Sequence, residues 1–176
     1  STGLFYVPGT FTPTEEVVEL ARVAGQFGGI HESHQRDDAS RVLDSVKETI
    51  RIGEEGGLPT QISHHKIVGQ ANWGKSVDTL RLVDEARARG VDVTIDQYPY
   101  TASSTSIAAA LLPAWALEGS RLDQLKRLDD PATRARIKAA SAAMIRDERG
   151  GGDPKNVQFA SCGFDAALAG KTLADL

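Results

Sequence analysis

The sequence predicts an α/β fold on a parallel sheet, and three observations carry that expectation. Short apolar strands alternate with amphipathic helices. The alternation repeats at roughly thirty residues, the length of a strand–helix–strand unit. Polar side chains able to do chemistry collect where the strands end. Such an alternation gives a parallel sheet, open or closed into a barrel. A chain of 176 residues, 40% of them hydrophobic, is long enough to bury a core.

Gly3 to Gly9 reads as the tail of a strand running into a loop. Thr12-Pro13-Thr14-Glu15 predicts a helix start, with Thr12 as cap, Pro13 in the first turn and Glu15 completing a capping box. Val17, Leu20, Ala21 and Ala24 give that helix an apolar side, and Gly28-Gly29 stops it. A strand from Ile30 to His34 follows, then a helix with Val42, Leu43, Val46 and Ile50 on one face and Gly56-Gly57 as its stop. Leu58 to His64 predicts the next strand. A helix carrying Leu80, Val83 and Ala86 runs from Ser76 to Gly90, and Val91 to Tyr98 is the clearest strand of the set.

After Tyr100 the rhythm changes. Ile107 to Leu117, Leu122 to Leu128 and Pro131 to Arg149 read as helices, with Asp130 as a cap, and Gly150-Gly151-Gly152 closes the region. Asn156 to Ser161 predicts a short strand and Lys171 to Leu176 the start of a helix. The expected organisation is a partial barrel over 1–106, a helical insertion over 107–152 and a return to the barrel over 153–176. An insertion after a strand C-terminus is where a lid or specificity element sits, or where a fold is simply decorated. The start without methionine and the stop inside a helical pattern both read as cuts in a longer protein.

Composition narrows the function classes. Twenty basic against 24 acidic residues leave a formal charge of −4, which argues against a nucleic-acid or polyphosphate surface but not against a small anionic substrate. One cysteine, Cys162, excludes an intrachain disulfide framework and suits a reducing, cytoplasmic compartment. No apolar run approaches the ~20 residues that span a bilayer.

Side chains alternate along a strand, so parity assigns faces. An inward His34 shares its face with Glu32, and His31 points to the helices. An inward His64 shares its face with Ile62 and Lys66, leaving His65 outside. Val93 and Ile95 pack on helices while Thr94, Asp96 and Tyr98 face the other way. Imidazoles converge on a metal only from different strands, because neighbouring strands lie ~4.8 Å apart and zinc–nitrogen bonds are ~2.0 Å. His34 and His64 meet that demand, but zinc wants three or four ligands, and no spacing selects Asp96 or Cys162 as the others. The same region also fits the phosphate-loop formula through Gly69, Gly74, Lys75 and Ser76, with Asp96 as a magnesium partner. A plain strand-to-helix loop with Ser76 as the helix cap accounts for those residues better.

Four separated blocks then carry a family resemblance: Gly3-Leu4-Phe5-Tyr6-Val7-Pro8-Gly9; Ser33-His34-Gln35-Arg36-Asp37; Ile62-Ser63-His64-His65-Lys66 with Asn72-Trp73-Gly74-Lys75-Ser76; and Asp96-Gln97-Tyr98-Pro99-Tyr100 running on through Ser103-Ser104-Thr105. In order, they resemble the N-acyl-D-amino-acid deacylases (D-aminoacylases) of the amidohydrolase superfamily. The resemblance implies a zinc-dependent (β/α)8 TIM-type barrel that hydrolyses the amide of N-acyl-D-amino acids, with this chain covering about strands 4 to 7. By the same resemblance His34 and His64 are metal ligands from the fifth and sixth strands, Lys66 holds the substrate carboxylate, and Tyr98 and Ser104 are further substrate contacts. Arg36 is a nearby cation without an assigned role. The family's H-x-H pair, cysteine ligand and general-base aspartate have no counterpart here, and Cys162 does not correspond to that cysteine. The expectation is therefore a segment inactive by itself, acting on small molecules rather than nucleic acid or membrane in its parent, and self-associating through exposed sheet edges. A phosphate-loop nucleotide hydrolase and a non-catalytic remnant are the alternatives.

Overall fold

Four short strands lie side by side in one parallel sheet: β1 (Thr2–Gly3), β2 (His31–His34), β3 (Thr60–Ile62) and β4 (Val93–Ile95), in the order β1-β2-β3-β4. The helices α1 (Thr14–Gln26), α2 (Val42–Gly56) and α3 (Ser76–Ala88) connect them in sequence. This is the α/β class and parallel sheet that the alternation predicts. The computed structural model describes Ser1–Leu176. It divides into two units, one of Ser1–Val68 with Asn72–Pro99 and the other of Gly69–Ala71 with Tyr100–Leu176.

The hydrogen-bonded strands are shorter than the apolar runs that predict them. Pairing of β3 stops at Ile62, and the chain turns at once, with His64 at a positive φ of 41°. The expected strand over Asn156 to Ser161 reduces to a single antiparallel bridge between Gln158 and Thr172. The expected helix over Lys171 to Leu176 reduces to one 3₁₀ turn, Leu173–Asp175.

Two apolar clusters fill the sheet unit. Leu4, Val17, Val18, Ala21, Ile52 and Leu58 form one; Val46, Ile50, Ile62, Val83, Ala86 and Val93 form the other. Leu20 and Leu80, predicted to face inward, are instead 63% and 49% exposed. Val18 and Thr79 occupy the inward positions instead. Thr79 is inward because its hydroxyl is bonded on both sides, to the Ser76 carbonyl and to the ring of His65.

Caps differ from expectation in two places. No Thr12–Glu15 box forms: Pro13 is the N-cap of α1, and the Thr14 hydroxyl donates to Glu48 Oε1 of α2 at 2.6 Å. Ser76 lies inside α3, whose N-cap is Lys75. The stop of α2 is as predicted, with Gly57 left-handed at φ 66°. Inside α2, Gly53 lets the helix approach β3, where a Cβ would stand 2.6 Å from Thr60 Cγ2.

The second unit is mainly helical: α4 (Ile107–Leu111), α5 (Arg121–Asp129) and α6 (Pro131–Asp147). The predicted helix to Leu117 breaks at Pro113, and only a 3₁₀ turn, Ala114–Ala116, follows. Ser120 and Asp123 make a reciprocal capping box for α5, and Asp130 caps α6 through the Thr133 N–H at 2.7 Å. No helix is long and apolar enough to cross a membrane.

Candidate metal and substrate site

The parallel ladder delivers the C-terminal ends of β2 and β3 to neighbouring positions, with Ser33 paired to Ile62. His34 is the last residue of β2, and His64 follows β3 by two residues. Their rings stack edge-on at 4.3 Å between centroids. Phe5 and Tyr6, just past β1, pack on His34 at 5.3 and 4.8 Å. Tyr98, past β4, lies 6.1 Å from the His64 ring. Four consecutive strand ends thus contribute to one cluster, at the end of a parallel sheet where binding and catalysis are built.

His64 reaches this cluster by a route that simple alternation does not describe. Ile62 is fully buried among helix-facing residues, so His64 does not share its face. The left-handed turn at His64 resets the parity. Asp96 holds that turn: its carboxylate accepts the His64 backbone N–H and the Gln61 amide, and its carbonyl accepts the His65 N–H at 2.9 Å. Asp96 is thereby committed to shaping the loop. His65 points away as predicted, its Nε2 2.8 Å from Thr79 Oγ1 of α3. Burial lowers the His65 pKa, with Lys66 pushing the same way and Asp38 opposing.

The remaining strand faces follow parity. Glu32 is exposed and accepts the Ser63 hydroxyl at 3.1 Å, whereas His31 is buried between Thr2 and Thr60. Burial brings the His31 pKa down to about 4; the N-terminal ammonium adds to this and Glu48 opposes it. Thr94 bonds Gln61 on the face away from the helices, and Val93 is buried among them.

Lys66 turns back over the pair. Its Nζ is 3.0 Å from His64 Nδ1 and 6.0 Å from the centre of the Tyr98 ring. Its nearest partner is a residue the sequence does not single out: Asp38, in the loop after β2, with Oδ2 at 2.6 Å. The same oxygen is 3.8 Å from His34 Nε2. Nothing local marks Asp38, because its partner lies in the next strand-to-helix loop. The only available hint is a carboxylate close behind a candidate ligand.

Arg36, the unassigned cation, belongs to the scaffold. It pairs with Glu48 through Nε and Nη2 and donates to the carbonyls of Thr10 and Thr12 at 2.8 and 2.9 Å. Burial alone would raise the Glu48 pKa, but hydrogen bonds from Arg36 and Thr14 and the charges of Arg36 and Arg41 bring it below the usual value. Ser104 lies in the second unit, exposed, on the irregular segment before α4.

The phosphate-loop formula fails structurally. Such a loop follows its strand directly, yet β3 ends at Ile62, well before Gly69. Lys75 is engaged by Asn72 Oδ1 at 2.7 Å and the Ser40 carbonyl at 3.2 Å, and Gln70–Asn72 is a 3₁₀ turn. The segment is a strand-to-helix connection.

Two convergent imidazoles fit a zinc site as part of a ligand set. They are not the whole of one, since no three His, Cys, Asp or Glu side chains come together in a metal-holding group.

No family model matches the sequence. A D-aminoacylase of Alcaligenes xylosoxydans xylosoxydans is 46% identical over 107 residues, covering 61% of this chain and 22% of that protein. An N-acyl-D-glutamate deacylase of the same organism is 49% identical over 105 residues, covering 60% and 22%. The chain therefore spans about a fifth of the length of these curated relatives. Among solved structures, the N-acyl-D-glutamate deacylase from Bordetella bronchiseptica, complexed with zinc and a phosphonate mimic of the tetrahedral intermediate, matches with a TM-score of 0.69 at 30% identity. That match covers 98% of this chain and 28% of the other. A crystal structure of D-aminoacylase matches with a TM-score of 0.57 at 30% identity, over 78% of this chain and 31% of the other. The chain belongs to the D-aminoacylase family of the amidohydrolase superfamily.

Proposed function

We propose that this chain forms part of a zinc-dependent hydrolase that cleaves the amide of N-acyl-D-amino acids. The observation that carries the reading is the approach of the His34 and His64 rings to 4.3 Å, with the Lys66 ammonium beside them. In this reading His34 and His64 are two of the metal's ligands. Zinc, when bound, supplies Lewis acidity toward the scissile carbonyl and toward water.

The chain's own residues bind and orient. Lys66 offers an N–H to the α-carboxylate, a charge-assisted hydrogen bond that fixes the amide relative to the histidines. Tyr98 borders the same space and contributes to substrate contact, and Ser104 is assigned a further contact by resemblance alone. Asp96 keeps the His64 turn in shape. The family resemblance implies that a carboxylate outside residues 1–176 handles proton transfer; of the carboxylates near the histidines, Asp96 holds the His64 turn and Asp38 pairs with Lys66. The single cysteine suits a cytoplasmic setting.

The test is turnover of N-acetyl-D-amino acids by the full-length protein, before and after chelation. Turnover that is lost with a chelator and restored by zinc is expected; chelator-resistant turnover contradicts the metal role. The 176-residue chain alone is expected to be inactive and to self-associate through the edge strands β1 and β4. Deacylation by that chain at the parent's rate, or a compact monomer in sedimentation, contradicts those expectations.

A further inference from the structure

We infer that Asp38 is the positioning residue for Lys66, holding its ammonium where the substrate carboxylate arrives; the inference rests on the proposed function. Asp38 is 3% exposed, and its only close cation is Lys66 at 2.6 Å. Its other oxygen, Oδ1, has no hydrogen-bond partner. Its carbonyl accepts the Val68 N–H at 2.7 Å, so the loops after β2 and β3 are tied together at this residue. A buried carboxylate deprived of its cation carries a large desolvation penalty. The pair is therefore mutually dependent.

Lys66 has a second contact at His64 Nδ1 and a weaker one at the His64 carbonyl, 3.4 Å away. The contact with the ring uses the Nδ1 lone pair. That lone pair is unavailable whenever His64 serves as a metal ligand. Ligation through Nδ1 consumes it directly. Ligation through Nε2 leaves the ring proton on Nδ1, facing the protons of the ammonium. In both cases Asp38 remains as the close anionic anchor. An ammonium has three N–H donors, so one committed to Asp38 leaves donors for a carboxylate.

The test uses the full-length protein with Asp38→Asn, assayed on an N-acetyl-D-amino acid and on its α-methyl ester, which lacks the charge Lys66 would read. Expected is a fall of about tenfold or more in kcat/KM for the acid, mainly through KM, with the ester changed less than about twofold and zinc content kept. In a Lys66→Met background, Asp38→Asn adds less than about twofold. A crystal structure of Asp38→Asn reads the pair without activity: a displaced Lys66 Nζ is expected, and an unmoved one overturns the inference. Equal losses on acid and ester, or loss of zinc, also overturn it, the latter by assigning Asp38 to His34. Should Asp38→Asn unfold, pairing it with Lys66→Met restores folding under this inference, and a double variant as unstable as the single overturns it. Wild-type protein inert on every N-acyl-D-amino acid defeats the proposed function, while the crystal structure still decides the pair.

Discussion

The sheet unit and the helical unit are held together on different length scales. In the first, residues far apart in the chain meet in two buried clusters, and the polar contacts are long-range as well: Arg36 to Thr10 and Thr12, Lys66 to Asp38, His65 to Thr79. In the second, only Leu111, Ala116 and Ile137 are buried hydrophobics. Its helix and turn starts are capped by neighbours in sequence, among them Ser106, Ser120, Asp130, Asp165 and Thr172. Chemistry is expected in the first unit, where strand ends are fixed by what lies beneath them. The second is anchored more lightly, by three buried hydrophobic side chains.

That contrast can be broken most forcefully at Ile62. It is fully buried between α2, α3 and the neighbouring strands, so Ile62→Ala is expected to cost about 2–5 kcal/mol in denaturant unfolding. A cost below about 1 kcal/mol would mean that burial does not govern this unit. Next is Arg36→Met, which leaves Glu48 and two carbonyls without their donor. We expect about 2 kcal/mol, reduced from a fully buried pair because 19% of the arginine side chain is exposed. Proteolysis near Thr10 and Thr12 should accelerate in parallel, and an unchanged cleavage rate would contradict the bracing role.

A titration sharpens the same point. His31 has a folded pKa of about 4 against an ordinary 6.5. The unfolded chain binds the proton first, so the stability present above pH 6.5 is lost as pH falls toward 4. The slope is up to about 1.4 kcal/mol per pH unit. His31→Gln should flatten the pH dependence of the urea midpoint between pH 6.5 and 4, and an unaltered slope would assign it elsewhere. The smallest effect belongs to the helical unit. Asp130→Ala removes a cap and is expected to cost about 1 kcal/mol. A cost as large as that at Ile62 would erase the distinction between the units.

Much of the sheet unit was legible in sequence because its helices show a 3.6 period and end at glycines. The strands read longer in sequence than they pair: in Leu58 to His64 the ladder stops at Ile62, ahead of the left-handed turn at His64. Periodicity alone misplaces Leu80 because it ignores polar partners: Thr79 wins the inward position by bonding His65. The convergence of His34 and His64 could be anticipated, since parallel neighbours must end together. The turn at His64 could not, because it depends on Asp96 from the next strand. Asp38 stayed invisible for the same reason, its significance resting on a lysine from another loop.

In the proposed function His34 and His64, and not His65, face a metal. Zinc content of the full-length protein, by elemental analysis of His64→Ala and His65→Ala, tests it directly. Zinc lost in His64→Ala and retained in His65→Ala, whose ring is occupied with Thr79, is the expected result. Equal loss in both, or loss only in His65→Ala, would contradict it.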